Sequence, residues 1–463
     1  MTEETGGGAV YESVLDAIGH TPLIRLARLG AGLPVPVYLK AEFLNPGMSV
    51  KDRAALSMVL AAEESGALKP GGVIVEGTSG NTGIGLAIAA AQRGYRCVVV
   101  LPDKTSPDKI NVLRAYGAEV VLTLSALPAE HPQQVRNLAR SISQTTPGAW
   151  LADQYDNPAN PRAHLTTTGP EIWQQTGGRI THFVAGIGTG GTISGTGRYL
   201  KEASAGTVRV IGADPATSVY GGGDGSPYAV EAIGHYLHPA TAEDTWPQSY
   251  ASAVVDQIER IGDRESIETV HRLAREEGLL VGGSSGTAVA AALRVAQDAA
   301  PGGLVVVIAP DSGRGYLSRY FNPEWMLSMG FRDGEGNRPT VGEAADKAGP
   351  PPVVRASATA DEARALLAAA GEAEAALAVL HRPGTADSWA VADVVGLLTA
   401  TALRGLPGTE PIAEHVSPLP GTVGVGEGSA EVAARIPGEQ DWIPVLRDGR
   451  IVALVPRAAL GEA

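Results

Sequence analysis

Cysteine is nearly missing from this 463-residue chain, which holds only Cys97. No disulfide can form within it, and no paired cysteines offer a zinc or iron–sulfur site, so no metal is expected. Cys97 stands in the apolar run "YRCVVVLP", where a small buried hydrophobe is expected in preference to a reactive thiol. A basic excess is missing too: 36 Lys and Arg face 50 Asp and Glu, a formal charge of −14. That balance argues against nucleic acid or an anionic membrane as a general partner. Any anionic ligand would need a local pocket of backbone N–H groups. No apolar run is long enough to span a bilayer. The start, "MTEETGGGAVYES", is acidic where a secretory signal is basic. A cytoplasmic location is therefore expected.

Lysine is also scarce, with seven residues (40, 51, 69, 104, 109, 201 and 347) against 29 arginines. One of the seven lies in "NPGMSVKDR", residues 45–53, behind a small turn and before an Asp-Arg pair. Arginine could replace a surface lysine. It could not replace one used for covalent amine chemistry, because guanidinium keeps its proton near neutral pH. Lys51 thus raises the question of a chemical role.

The chain is long enough for about two or three domains, and its 59 glycines and ordinary apolar content suit a globular α/β protein. From about 70 to 310, apolar β-branched runs alternate with Ala-rich helical patterns. Strands are expected at 73–77, 97–102, 119–123, 181–188, 208–214 and 304–310, and helices at 83–94, 107–117, 192–203 and 287–300. This pattern predicts open parallel sheets covered on both faces, with ligands gathered at the carboxyl ends of strands. Residues 1–333 are expected to form this catalytic part and 334–463 a separate unit, joined through the polar "RDGEGNRPT". The second part reads as a strand at "PPVVRAS", a helix at "ADEARALLAAAGEA" and a strand at "AALAVLH". "VVGLLTATAL" (394–403) then returns as "IVALVPRAAL" (451–460), an internal repeat of about 57 residues.

Three loops carry candidate chemistry. "GIGTGGT" (186–192) sits between a strand and a helix, where converging backbone amides and a helix start can hold an anion. The same stretch also fits a dinucleotide site, with Gly186, Gly188 and Gly191 in register and Asp214 at the distance of a ribose-binding acid, or simply a tight turn. "TSGNTGIG" (78–85) adds Thr78, Ser79, Asn81 and Thr82 to exposed amides at a helix start, a donor set that suits a carboxylate. Ordinary capping would need only one of those side chains. "PDSGRGY" (310–316) places Asp311 and Ser312 after the last strong strand, as site residues or as a cap. A phosphate cradle, a carboxylate cradle and one special lysine together describe pyridoxal phosphate chemistry on an amino acid.

"NPGMSVKDR", "EGTSGNTGIGLA", "DQYDNPANPRAH", "VAGIGTGGTISG", "GLLVGGSSG" and "APDSGRGYLSRYFNPEWM" resemble the β-family of pyridoxal phosphate enzymes. The similarity is to the branch holding cystathionine β-synthase and cysteine synthase, and it covers roughly residues 15–331. It implies a fold-type II enzyme of two open parallel-sheet subdomains. It further implies that Lys51 joins the cofactor covalently and removes the α-proton, and that Asn81 meets the ring hydroxyl. Gly188, Thr189, Gly190, Gly191 and Thr192 would hold the phosphate, and Ser312 would face the pyridine nitrogen with Asp311 only its neighbour. Thr78, Ser79, Thr82 and Gln154 would grip the substrate carboxylate, with Ser79 close to the chemistry and Tyr155, Ala232 and Gly234 completing the substrate site. A hydroxyl at the ring nitrogen makes a weak electron sink and favours loss of a β-substituent.

The implied reaction joins serine, or an activated serine, to homocysteine and gives cystathionine. The alternative is a sulfhydrylase acting on O-acetylserine or O-phosphoserine, or a synthase of another β-substituted alanine. A different class, an NAD-dependent dehydrogenase, rests only on "GIGTGG" and Asp214. Departures from the family pattern are Met48 for a common glycine, Gly77 for a frequent proline, Ala232 for glycine and His235 for tyrosine. Amino acid and thiol substrates and a homodimer or larger homo-oligomer are the implied partners.

Residues from about 340 onward resemble a pair of the small regulatory modules named after cystathionine β-synthase. Ala402 and Ala459 stand where each copy would carry a ribose-binding aspartate, and Pro456 replaces a threonine. Tight binding of an adenosyl ligand is therefore not expected, and the pair is read as an α+β assembly module.

Overall fold

The computed structural model of the chain describes residues 10–460 apart from 126, 335–337, 372 and 381–387. Residues 1–9 of the acidic start, the middle of the expected linker and residue 381 of an expected strand lie outside the described residues.

Ten strands build two sheets in the first 310 residues. They are β1 (Leu23–Arg25), β2 (Val37–Ala41), β3 (Val73–Gly77), β4 (Arg96–Pro102) and β5 (Glu119–Thr123). β6 (Ala149–Leu151), β7 (His182–Gly186), β8 (Arg209–Pro215), β9 (Gln257–Ile261) and β10 (Val305–Ala309) follow. The smaller sheet has the order β5-β4-β3-β6 and the larger β1-β2-β10-β7-β8-β9. All pairs are parallel except β1 with β2, an antiparallel edge pair. Every residue of β3 and β10 is buried, as continuous apolar strands between helical layers should be. Helices Lys51–Glu64 and Asn81–Arg93 pack on one face of the smaller sheet and Val135–Thr145 on the other. Gly283–Asp298 and Gly191–Ala203 cover opposite faces of the larger sheet. Cys97 is buried in this packing, and burial pushes its thiol pKa up to about 12, which makes it a core residue.

The Asp-Arg pair after Lys51 anchors the helix it begins. Asp52 accepts the Gly47 N–H and closes the preceding turn. Arg53 pairs with buried Glu42 at 2.8 Å and with Glu171 at 2.6 Å, and Glu171 also takes Lys40 at 2.6 Å. Lysine scarcity alone therefore does not single out Lys51, because Lys40 is a buried structural cation.

Beyond residue 340 lie β11 (Val353–Arg355), β12 (Ala375–Val379), β13 (Trp389–Ala390), β14 (Val394–Thr399), β15 (Val423–Gly424), β16 (Trp442–Arg447) and β17 (Arg450–Pro456). Each half runs strand, helix, strand, strand: β11, Ala360–Ala369, β12 and β14, then β15, Ser429–Arg435, β16 and β17. In both halves the first strand pair is parallel and the last antiparallel. β13 crosses over to pair with β17, and a shared core joins Leu377 and Leu397 to Ile451 and Leu454. Among the described residues no helix is long and apolar enough to cross a membrane.

Candidate active site

Three segments meet just beyond the carboxyl end of β10 and are stitched together by their backbones. Val50 N donates to Pro310 O at 2.7 Å, Ser312 N to Met48 O at 3.1 Å, and Gly282 N to Asp311 O at 3.1 Å. These bonds bring the Lys51 turn, the loop after β10 and the start of helix Gly283–Asp298 to one point. The cavity between them is walled by Lys51, Asn81, Gly188, Thr189, Gly190, Thr192, Ala232, Ile233 and Ser284, among others. Seven residues named from the sequence for the site thus share one wall, although they come from four separate stretches of chain. A more open depression beside Arg364, Leu367 and Arg404 in the C-terminal unit contains no nucleophile or acid–base pair.

Burial holds the Lys51 ammonium down to about 8, and the Asp311 carboxylate acts in the opposite direction. An appreciable fraction of neutral amine therefore exists near neutral pH. Asp311 is itself buried, which raises its pKa, and it accepts from Asn81 Nδ2 at 2.7 Å and from Tyr316 OH. Lys109 Nζ reaches Tyr316 OH at 2.8 Å and Glu231 at 3.2 Å, and it lies 4.2 Å from the centroid of the Tyr316 ring. This chain of side chains was not legible as a unit, because its members are spread over 81–316 in sequence.

The glycine loop is packed tightly on the sides away from the cavity. A Cβ at Gly188 would lie 2.8 Å from Ala232 O, one at Gly186 would lie 2.7 Å from the Ile233 side chain, and one at Gly190 would collide with Tyr250. Gly190 also has φ +82°, so glycine is required there for conformation as well as for space. Tyr220 OH donates to Gly188 O at 3.0 Å from behind. The helix Gly191–Ala203 then starts at the loop and directs free amides toward the cavity. Thr192 Oγ1 lies 3.2 Å from His164 Nε2, and burial keeps that imidazole neutral, with a pKa lowered to about 3.

Behind Asn81, Thr82 Oγ1 donates to Gln154 Oε1. Asn160 Nδ2 joins Gln154 O (2.7 Å) to Thr189 Oγ1 (3.0 Å), linking the two cradles through a residue that the sequence reading did not name. Glu76, under Gln154, is buried and accepts its N–H at 3.4 Å; burial, with Asp153 adding to it, raises the Glu76 pKa to about 8. Thr78 is buried at the head of the same loop and Ser79 is half-buried. Neither these residues nor Gln154 form the wall of the cavity itself.

Other residues named from the sequence also stand off the cavity wall. Ser312 does not wall the cavity: its Oγ accepts Arg314 N at 3.2 Å and caps a short helical turn. Ser284 does wall the cavity; its buried Oγ has no hydrogen-bond partner, and neither has that of Ser285, so the cavity wall alone distinguishes the two. The signal for it was present in "GGSSG", a serine at a helix start, but Ser285 beside it looks the same in sequence. Asp214 is no ribose ligand: it is fully buried and accepts Gly221 N at 2.8 Å. Tyr155 and Gly234 do not wall the cavity: Tyr155 has Arg136 over its ring at 4.6 Å, and Gly234 N donates to Ile187 O at 2.6 Å.

Two of the unusual residues explain themselves in the backbone. Met48 has φ 62° and Ala232 φ 73°, left-handed conformations that favour glycine and cost roughly 1–2 kcal/mol with a side chain. Ala232 keeps this geometry while it walls the cavity. Among the described residues no three His, Cys, Asp or Glu side chains cluster as metal ligands.

Comparison with known proteins agrees with this geometry. A family model described as a pyridoxal-phosphate dependent enzyme matches residues 14–311. "Cystathionine beta-synthase" of Apis mellifera is 44% identical over 70% of the chain, which spans 64% of that protein's length. "Cysteine synthase 1" of Emericella nidulans is 43% identical over 69% of the chain and 86% of its own length. A crystal structure of O-ureido-L-serine synthase superposes with a TM-score of 0.62 at 39% identity, covering 68% of this chain and 96% of that one. With Lys51, the glycine cradle and the orphaned Ser284 hydroxyl in one cavity, the chain belongs to the family of pyridoxal-phosphate dependent enzymes.

Proposed function

We propose that the chain replaces the β-substituent of an amino acid, taking serine or an activated serine and homocysteine to cystathionine. The single observation that carries this reading is Lys51, a desolvated amine facing Asn81, the glycine loop and Ser284 in one cavity. The residues present fit the cofactor: Lys51 would hold it covalently, Asn81 would meet the ring hydroxyl, and Gly188, Thr189, Gly190, Gly191 and Thr192 would hold the phosphate. Ser284, in place of Ser312, would face the ring nitrogen with its unpaired hydroxyl. Pyridoxal phosphate supplies an electron sink that lets a proton leave the α-carbon and a substituent leave the β-carbon.

The chain's own residues do the rest. The Lys51 amine, neutral in part near pH 7, accepts the α-proton at Nζ. Thr78, Ser79 and Thr82 bind the substrate carboxylate beside the start of helix Asn81–Arg93, with Gln154 held by Thr82 and Glu76. Ala232 and Ile233 narrow the side from which the thiol approaches.

A second reading, a sulfhydrylase or a synthase of another β-substituted alanine, is favoured by the high coverage of cysteine synthase 1 and O-ureido-L-serine synthase. Residues 1–333 serve as the catalytic domain and 334–463 as a degenerate pair of regulatory-type modules that act in assembly. A homo-oligomer in the cytoplasm completes the proposal, with exposed Val10, Tyr11, Leu44 and Leu60 as apolar surface and a single buried thiol suited to a reducing compartment. Without the two aspartates, the module holds no adenosyl ligand tightly.

The test is a mass-spectrometric product screen of serine, O-acetylserine and O-phosphoserine against homocysteine and sulfide. Cystathionine from serine supports the first reading, and cysteine only from an acylated serine supports the second. The purified protein should be yellow and should lose its colour in Lys51→Ala; retained colour refutes the role of Lys51.

A further inference from the structure

The β16–β17 hairpin of the C-terminal unit reaches the segment that walls the cavity. Arg450, at the start of β17, donates from Nη1 to Ser226 Oγ at 3.2 Å, while Nε and Nη2 hold Ser388 Oγ and Ser388 O, both at 3.0 Å. Ser226 is fully buried, although it belongs to the catalytic part. Just beyond it, the Asp263 carboxylate takes Ala229 N at 2.8 Å and Val230 N at 3.0 Å. Tyr320 OH donates to Ala229 O at 2.9 Å and receives Glu231 N at 3.0 Å. The next two residues, Ala232 and Ile233, wall the cavity.

The neighbour of Asp263 is tied to the same hairpin. Arg264 Nη2 lies 2.6 Å from Asp448 Oδ1 in the hairpin turn and also donates to Gly330 O at 3.0 Å. Gly449 N donates to Met329 O at 2.8 Å. Helix Asp263–Glu276, which supplies the carboxylate for Ala229 and Val230, is thereby clamped at its first turn.

We propose that this hairpin positions segment 226–233, and that Arg450 is a positioning residue for the catalytic cavity supplied by a unit outside it. The physical reason lies in Ala232. Its left-handed backbone is unfavourable for a residue with a Cβ, and such a conformation persists only where the surroundings over-determine it. Arg450 fixes the start of the segment, Asp263 and Tyr320 its middle, and Gly234 N on Ile187 O its end. Freeing the start lets Ala232 relax, and its carbonyl oxygen is the atom packed against Gly188. The inference rests on reading the cavity as the active site, and it gives the C-terminal unit a task that needs no ligand.

The test compares full-length Arg450→Gln, Arg450→Lys and Ser226→Ala with the parent by hydrogen–deuterium exchange without substrate, and then by steady-state kinetics. Amides of 229–231 should exchange at least about tenfold faster in Arg450→Gln and Ser226→Ala, as expected from losing one charge-assisted bond. Arg450→Lys should be partly rescued, and KM for the incoming nucleophile should rise severalfold while kcat holds. Unchanged exchange of the segment in both variants overturns the proposal, as does a uniform rise across the whole chain. If Arg450→Gln does not fold, Ser226→Ala, which deletes one hydroxyl, decides alone. A protein that shows the exchange effect yet turns over none of the substrate pairs counts against the proposed reaction and leaves the positioning role standing.

Discussion

Asn81 Nδ2 donates a 2.7 Å hydrogen bond to Asp311 Oδ2, joining the loop after β3 to the loop after β10. The strands that these loops follow belong to different sheets, so the bond ties the two sheets together beside Lys51. Asp311 is therefore more than a neighbour of Ser312. It is the charge that acts on Lys51 and the acceptor that orients the Asn81 amide.

Asp311→Asn should lower the pH at which Lys51 becomes neutral, to below about 8. The sign follows from the carboxylate, whose negative charge favours the ammonium form. The check is the pH dependence of Nζ labelling by an amine-reactive reagent in cofactor-free protein. A midpoint that stays or rises refutes the coupling. Asp311→Ala, which also strips Asn81 and Tyr316 of their acceptor, should cost about 1–3 kcal/mol in urea unfolding.

The two serines should separate cleanly. Ser312→Ala removes a cap and should cost about 1 kcal/mol of stability while the cofactor's absorption stays as it was. Ser284→Ala deletes no existing hydrogen bond, so stability should hold, whereas the absorption spectrum and turnover should change. The reverse pattern would return the ring-facing role to Ser312.

Glu76 should make stability depend on pH above the usual carboxylate range. Its folded-state pKa is raised to about 8, so between roughly pH 4.5 and 8 the unfolded chain has released a proton that the folded chain keeps. Stability from this group is full below about pH 4.5 and is lost as pH rises toward 8. Glu76→Gln does not titrate, so its stability relative to the parent should improve over that window by an amount on the order of a few kcal/mol. Urea unfolding of both proteins at pH 5 and pH 8 measures it, and a constant difference rejects the neutral buried acid.

Much of the α/β frame was legible because its strands are short apolar runs between glycines. β3, β5, β7, β8 and β10 lie within a residue or two of where the runs place them. β1, β2, β6 and β9 escaped notice, being short or, like "QIERI", largely polar. Their strand state comes from the neighbour they pair with. Helix Asp263–Glu276 was hidden in the same way by its many charges, and it proves to carry the clamp on segment 226–233.

The sequence by itself determined the parallel α/β frame, the glycine loop that no side chain can enter, and the amine at Lys51. Each is written in a window of about ten residues, where periodicity and turn chemistry act locally. Only the tertiary structure decided which serine walls the cavity, which acid acts on Lys51 and which arginine steadies the Ala232 wall. Those outcomes depend on burial and on partners as far apart as 230 positions for Asn81 and Asp311 and 224 for Ser226 and Arg450. Desolvation and hydrogen-bond satisfaction are properties of the packed whole, and identical serines in a "GGSSG" run acquire different roles only when the packing aims one of them at the cavity.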